Sequence, residues 1–193
     1  MDHYDRPYRK RHSVPWVTGT EAAGLGAGGV IFIARNAPSP NVYYTFVTKL
    51  VVEFVCTTVF TVPLTQRQLS IWRGTGAGSA ATAIPTMVAH DNRDNLTSFL
   101  ASANGGDVRV ATTGTINVGG VTFEGRELAS MQLTQFGNAG NAVRVEFNWG
   151  DSLLGPPVLA PGECIAVRTA AAFDAGGTWI GAGHMDWYEE LVA

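Results

Sequence analysis

The sequence predicts an all-β protein, an antiparallel β-sandwich of the jelly-roll type with at most one short helix. Three observations support this prediction. Apolar and polar residues alternate in many short segments, turn residues separate these segments at regular spacing, and only one short segment has a helical pattern. The 193-residue chain is 46% hydrophobic and contains 23 glycines, which suits one domain of many strands around a sizeable core.

The N-terminal residues 1–29 are predicted to form a flexible arm, and residues 30–193 a single jelly-roll-like β domain. The start of the arm is basic and aromatic. The side chains that we expect to contact a partner are Tyr4, Arg6, Tyr8, Arg9 and Arg11. Two aspartates dilute this charge, so a solvated leader without a partner is the alternative interpretation.

Two glycine-rich segments do not predict a nucleotide site. The glycines of residues 24–29 fit the pattern G-x-G-x-x-G, but they precede a β-branched run that starts at Val30 instead of joining a strand to a helix. The GTGAGS run at residues 74–79 lacks the lysine that a phosphate-binding loop supplies. No cofactor is therefore expected.

The strands are predicted from residue 30 onward. They are Val30–Arg35, Val42–Val47, Leu50–Val62, Gln66–Arg73, short strands within Asp107–Gly125, Ala142–Trp149, Glu163–Ala170 and one that begins at Thr178. The segment Leu50–Val62 is apolar on both faces, which predicts a central strand buried on both sides. Glu53 within it is expected to face an arginine of a neighbouring strand. A short helix is expected from Asp94 or Asn95 through Ala103.

The last two strands are predicted to form a β-hairpin around a turn at Asp174–Gly177. In the second of these strands, alternation places Trp179 and Trp187 on one face and Tyr188 on the other. These three aromatic side chains are expected at an exposed edge, where they would form a second contact with a partner.

The charge and the cysteines limit the classes of function. Only 15% of the residues are charged and the net charge is −3, which argues against a nucleic-acid-binding surface. The polar N-terminus does not resemble a secretory signal, and no apolar run near it is long enough for a bilayer, so synthesis in a cytoplasm and no membrane partner are expected. Cys56 and Cys164 are predicted to be buried free thiols, with a disulfide between them as the alternative.

No arrangement of catalytic residues is recognisable, so the chain is not expected to be an enzyme. Nucleophile motifs such as G-x-S-x-G are lacking. A metal site of the cupin type would need His90 and His184 to meet near acids, and two surface histidines are favoured instead, so no metal is expected. The tryptophans favour core or interface positions over a platform for sugars, and they are Trp16, Trp72, Trp149, Trp179 and Trp187.

Two segments resemble a known class of proteins. Leu50–Asp94 contains C-T-T-x-F-T, a glutamine-rich strand and an I-P-x-x-x-x-H-D turn. Leu153–Glu190 contains L-x-P-G-E-x-I-x-V-R-T, then G-G-T-W and an acid-Trp ending. Together these segments are similar to auxiliary virion proteins of tailed bacteriophages, the jelly-roll proteins that decorate or cement a capsid.

This resemblance implies a homo-oligomer, with a trimer favoured, that binds the major capsid protein at the capsid surface of a virion and has no active site. The arm would then lie on the shell or reach a neighbouring copy. A carbohydrate-binding module of a virion or host-attachment protein is the alternative, because exposed aromatic residues near acids suit a sugar. A cupin-like metal-dependent enzyme is the third hypothesis.

Overall fold

The computed structural model describes residues 10–22, 25–38, 40, 42–61, 67–78, 82–83, 88–89, 98–133, 138–150, 152–153, 155–173 and 176–191. In this part of the chain, two antiparallel β-sheets pack face to face and enclose the hydrophobic core. The predicted all-β sandwich is therefore confirmed. None of the helical structure in the described residues is long and apolar enough to cross a membrane.

The described residues form fourteen strands and one turn of 3-10 helix. In chain order the strands are β1 (Lys10–Val17), β2 (Glu21–Ala22), β3 (Val30–Arg35), β4 (Tyr43–Thr58), β5 (Gln68–Thr75), β6 (Thr82–Ala83), β7 (Val88–Ala89), β8 (Asp107–Val110), β9 (Thr122–Phe123), β10 (Ala129–Gln132), β11 (Ala142–Asn148), β12 (Val158–Leu159), β13 (Glu163–Thr169) and β14 (Thr178–Leu191). The 3-10 turn spans Ser102–Asn104.

Eight of these strands pair in a nested order. β1 pairs with β14, β3 with β13, β4 with β11, and β5 with β10, all antiparallel. This is the pairing of one long antiparallel ribbon, and folding the ribbon over adds the pairing of β14 with β4 and of β13 with β5. The first sheet runs β11-β4-β14-β1-β7 and the second runs β10-β5-β13-β3-β8-β6, which is the strand order of a jelly roll.

The core between the sheets is rich in aromatic rings. Residues alternate along β14, so Trp179, Met185 and Trp187 point inward and are buried. Trp16 of the first sheet stacks on Phe32 of the second, with 4.9 Å between ring centroids. Full burial of one such large apolar side chain contributes roughly 1.5–3 kcal/mol, so contacts of this kind hold the two sheets together.

The outer face of the second sheet is covered by the chain itself. Ile33 and Ala166 lie side by side on this face, and both are buried. The covering segment is residues 111–128, in which Ile116 bridges to β3 and β9 pairs with β5. The outer face of the first sheet, by contrast, carries mostly half-buried and exposed side chains.

The predicted flexible arm over residues 1–29 is wrong for the residues that the structure describes. β1 pairs with β14 over its whole length. Its buried residues alternate, and they are His12, Val14 and Trp16. The residues on the solvent side are Arg11, Ser13 and Pro15. The polar His12 on the buried face and the proline at residue 15 obscure this alternation in the sequence. Tyr4, Arg6, Tyr8 and Arg9 lie outside the described residues, so an arm over residues 1–9 stays a prediction.

Two predicted strands form one long strand of the first sheet. The segments expected at Val42–Val47 and Leu50–Val62 join in β4, which lies between β11 and β14 as a central strand. On its outer face Val51 is buried, but most of the other side chains are half-buried, so the expected burial on both sides is confirmed only at Val51. Glu53 lies opposite Arg144 of β11, which confirms the expected arginine neighbour. The predicted strand Val30–Arg35 is also confirmed.

The predicted C-terminal hairpin is wrong, because β13 and β14 belong to opposite sheets. The connection between them crosses the end of the sandwich, and Phe173 within it is buried against Phe54 and Trp179. Burial of this ring favours a crossing over a tight turn. The predicted helix is also wrong over its described part, since Ser98–Ala101 is a turn that leads into the 3-10 turn.

Candidate functional site

The outer face of the first sheet carries the candidate site. The strand register places its side chains in rows across β11, β4, β14 and β1. On β14 the outward residues are Ile180, Ala182, His184, Asp186, Tyr188 and Glu190. Each is half-buried, so part of every side chain is available to a partner, whereas the residues between them mostly point into the core.

Three aromatic side chains form a cluster on this face, which we call the aromatic platform: Tyr44, Phe46 and Tyr188. The rings of Phe46 and Tyr188 lie parallel, with centroids 4.8 Å apart and 6° between their planes. Tyr44 is two residues from Phe46 on the same side of β4. Arg11 of β1 lies opposite Tyr188 in the register and is exposed. The platform therefore combines flat apolar rings with a cation beside them.

Charged side chains lie next to the aromatic platform. Lys49 Nζ is 2.8 Å from Glu146 Oε1, and Lys49 is also opposite Asp186 in the register. His184 Nε2 is 3.8 Å from Asp186 Oδ2. The hydrogen bond from Lys49 lowers the pKa of Glu146 below its ordinary value, so Glu146 is an anion at neutral pH. The surface thus presents both signs of charge at short range.

A β-bulge in β4 brings the aromatic platform and the charged side chains to the same face of the sheet. Phe46 and Lys49 are three positions apart, so a regular strand would direct them to opposite faces. The register with β14 shifts by one residue at this place, where Thr48 is the extra residue. The hydroxyl of Thr48 donates a hydrogen bond to the backbone carbonyl of Asp186, at 3.1 Å. As a result Phe46 and Lys49 both point outward while Val47 stays buried.

The predicted contact residues fall on both sides of the sheet. Arg11 and Tyr188 lie on the outer face, next to each other. Trp179 and Trp187 are 0% and 1% exposed, so their prediction as exposed edge residues is wrong. The alternation in the sequence separates them from Tyr188, as observed, but alternation alone does not say which face meets the second sheet.

The platform residues Tyr44 and Phe46 were missed by sequence reasoning. The only signal is the aromatic run at residues 43–46, and the bulge at Thr48 disrupts its alternation with the rest of β4. The tryptophans do not join the platform. Trp16 is buried, and half-buried Trp72 packs on the opposite sheet under the guanidinium of Arg168, 4.9 Å from the ring centroid.

A buried polar cluster lies on the inner side of the same strands. Glu189 Oε1 accepts hydrogen bonds from Ser98 Oγ at 2.6 Å, from the backbone N–H of Phe99 at 2.9 Å and from Trp187 Nε1 at 3.2 Å. His12 Nε2 lies 3.7 Å from the other carboxylate oxygen. The carboxylate therefore separates the serine from the histidine. A hydrolytic triad requires the opposite order, with the histidine between the nucleophile and the acid.

A second buried carboxyl group lies at the end of the sandwich. Glu21 of β2 is fully buried, and its Oε2 accepts a hydrogen bond from the backbone N–H of Gly114 at 2.6 Å. Its Oε1 has no hydrogen-bond partner among the described residues. Desolvation raises the pKa of Glu21 to about 7, against the lowering effect of the Gly114 hydrogen bond. This carboxyl group is therefore partly protonated at neutral pH.

The cysteines do not provide a nucleophile. Cys56 and Cys164 are both free and buried, which confirms the interpretation as buried thiols. Burial raises the pKa of Cys164 to about 12 and raises that of Cys56 as well. Since the thiolate is the reactive form, neither side chain suits covalent chemistry at neutral pH.

A metal centre is not formed by the described residues, which contain no group of three or more histidine, cysteine or acidic side chains placed to hold an ion. His184 lies 3.8 Å from Asp186 and interacts electrostatically with Glu146, but no second histidine or cysteine of the described residues joins them in a metal-binding group. His90, the other histidine of the cupin hypothesis, lies outside the described residues.

Comparisons with protein-family models, with curated proteins and with solved structures give no match to this chain. Function is therefore inferred from the geometry of the outer face of the first sheet and from the chemistry of its side chains.

Proposed function

We propose that this jelly roll is a non-enzymatic structural protein of a virion, which binds to the capsid surface through the outer face of its first sheet. The observation that carries the proposal is the aromatic platform with Arg11, Lys49 and Asp186 around it on a wide, half-buried sheet. Aromatic residues and arginine are enriched in protein–protein interfaces, and charges of both signs help to fix the register of docking.

Three further features support a binding role. The carboxyl groups of Glu21 and Glu189 and the two thiols are buried, and none of them combines accessibility with an activating partner. Val17 on the same face is 59% exposed, which adds apolar area at the other end of β1. The third feature is the resemblance of Leu50–Asp94 and Leu153–Glu190 to auxiliary virion proteins. This resemblance implies a major capsid protein as the partner and self-assembly as a trimer.

The test is co-sedimentation of the purified full chain with capsid shells assembled from a phage major capsid protein without their decoration protein. We expect Phe46→Ala and Arg11→Ala to reduce shell binding at least about tenfold, because interface anchors contribute on the order of 1–2 kcal/mol or more. Arg126→Ala is the matched control, since Arg126 is an exposed arginine on the segment that covers the other sheet. Equal binding by all variants would contradict a docking role for this face.

A carbohydrate-binding module is the second candidate, favoured by the parallel rings of Phe46 and Tyr188 with Asp186 and Glu190 beside them. Sugar rings stack on flat aromatic faces, and carboxylates accept hydrogen bonds from sugar hydroxyls. A glycan array probed with the wild type and with Tyr188→Ala distinguishes the candidates. Binding to one sugar class that the variant loses would support the module, and a flat array together with binding to shells would support the virion role.

A further inference from the structure

The outer edge of β11 is available for pairing with another strand. β11 lies at one end of the first sheet, and no strand in the described part of the chain pairs with its other side. It is seven residues long, contains no proline and is in regular register with β4. Natural proteins protect an edge of this kind with a proline, a bulge or charged side chains, because unpaired N–H and C=O groups can receive a further strand. Of these, β11 has only the charged side chains, which belong to Arg144 and Glu146.

The backbone groups at the centre of this edge belong to Arg144 and Glu146. At the two ends of β11, the carbonyl of Asn141 accepts a hydrogen bond from Cys56 and the N–H of Trp149 donates one to Thr48, so odd-numbered residues bond to β4. Successive residues of a strand direct their backbone groups to opposite sides. The N–H and C=O groups of Arg144 and Glu146 therefore point away from β4.

The two charges on either side of Val145 are complementary to the same two charges of a second copy related by a two-fold rotation. Arg144 and Glu146 flank Val145, and both side chains are exposed on the outer face. An antiparallel pair of β11 strands with the two-fold axis at Val145 places each Arg144 opposite the Glu146 of the other copy. An axis at Arg144 would oppose two arginines and an axis at Glu146 would oppose two glutamates, which destabilises a pair of strands. Charge therefore selects one register.

Neighbouring residues extend this complementarity. Glu53 lies opposite Arg144 within one chain, and Lys49 is 2.8 Å from Glu146. In the selected register the charges alternate in sign across four strands, as Glu53, Arg144, the second copy's Glu146 and its Lys49. On the inner face, Val145 meets its own copy. The partly buried side chains of Val143 and Phe147 face each other, which removes more apolar surface from water.

We propose that two copies of this chain associate by antiparallel pairing of their β11 strands about a two-fold axis at Val145. The two first sheets then form one continuous sheet, with the aromatic platform of each copy on the same side. The inference concerns self-association alone and does not depend on the virion role. It also predicts a two-fold contact, which differs from the trimer that the resemblance implies.

The first test exchanges charges at the two exposed positions. Arg144→Glu gives glutamate at both positions 144 and 146, and Glu146→Arg gives arginine at both positions. Each variant alone therefore places like charges opposite each other in the dimer. We expect the wild type to have twice the 20.5 kDa mass of one chain in light scattering after size exclusion. We expect each variant to be a monomer, with the dimer Kd raised at least about tenfold.

The decisive sample is an equimolar mixture of the two variants. In the selected register every arginine then meets a glutamate, so the mixture should form a mixed dimer although neither component dimerises. Both residues are exposed, so the fold should be unaffected, and circular dichroism verifies this for each variant. A monomeric wild type, a dimeric single variant or a mixture without mixed dimer would each overturn the proposal.

The second test fixes the register by cross-linking. Residues that face each other in a non-hydrogen-bonded antiparallel pair have Cα atoms about 4.5 Å apart, within the range of a disulfide. Val145→Cys should therefore give a cross-linked dimer under mild oxidation. Val143→Cys is the matched control, because two copies of residue 143 would be about 13 Å apart in this register. Equal cross-linking of the two variants would contradict the axis at Val145.

Discussion

The carboxyl group of Glu21 binds the backbone N–H of Gly114 at 2.6 Å, and this hydrogen bond joins the first sheet to the segment that covers the second. Burial raises the pKa of Glu21 from 4.5 to about 7, so the folded protein holds this proton more tightly than the unfolded chain. The contribution of the group to stability is fully present below about pH 4.5 and is lost as the pH rises through about 7.

Glu21→Gln should remove this pH dependence. A glutamine can still accept the hydrogen bond from Gly114 but is neutral at every pH, so we expect the variant to gain about 1–3 kcal/mol over the wild type at pH 8 and little at pH 4.5. Urea unfolding at the two pH values measures the difference. Glu127→Gln, at an exposed position, is the control. If the gain is the same at both pH values, the raised pKa is not its cause.

Glu189→Ala should destabilise the fold by about 2–4 kcal/mol. The substitution removes the acceptor of three hydrogen bonds, and it leaves buried donors of Ser98 and Trp187 without that partner. Glu190→Ala is the matched control, because Glu190 is the adjacent residue and points outward. Urea unfolding of both variants gives the comparison. Equal effects would show that the buried cluster is not important for stability.

Trp179 and Tyr188 should differ strongly in their contribution to stability. Trp179→Ala empties a fully buried position between Phe54 and Phe173, which costs about 3–5 kcal/mol. Tyr188→Ala removes one half-buried ring of the aromatic platform and should cost about 1 kcal/mol. Thermal unfolding of both variants measures the two effects. A larger loss for Tyr188 would contradict the assignment of the platform as a binding surface.

Both cysteines should be unreactive in the folded protein. Cys56 and Cys164 are buried and their pKa values are raised, so the accessible thiolate is scarce at neutral pH. Titration with a thiol reagent at pH 7.5 should show no fast phase without denaturant and two reactive thiols per chain in urea. Rapid labelling of the folded protein would mean that one of the strands opens easily.

Deletion of residues 1–9 should leave the fold intact, whereas deletion of residues 1–17 should abolish it. The longer deletion removes β1, its pairing with β14 and the buried side chains of Val14 and Trp16. Circular dichroism and gel filtration of the two truncated proteins test this. If the shorter protein folds and still binds capsid shells, residues 1–9 are not the docking arm, and the outer face of the first sheet remains the candidate.

The fold class could be predicted from the sequence because local alternation reports which residues are buried. β3 was predicted with its observed bounds, and β11 alternates as expected between half-buried Val143 and exposed Arg144. The separation of Trp179 from Tyr188 on β14 was also predicted. Each of these features depends only on neighbours along one strand.

The features that were missed depend on distant parts of the chain. β1 is a strand because β14 lies beside it, and no local signal reveals a partner about 170 residues away. The placement of β13 and β14 in opposite sheets depends on where Phe173 is buried. The aromatic platform depends on the extra residue Thr48, which changes the face on which Phe46 lies. Sequence patterns predict strands better than they predict their neighbours.

The nested pairing also determines when the fold can form during translation. β14 is the last of the strands to leave the ribosome, yet it occupies the middle of the first sheet between β4 and β1. Until it arrives, both neighbours present unpaired edges, a state that is prone to aggregation. Contacts so distant in sequence also slow folding. We therefore expect this domain to fold only after β14 has left the ribosome, and its yield in cells to depend on chaperones that protect these edges until then.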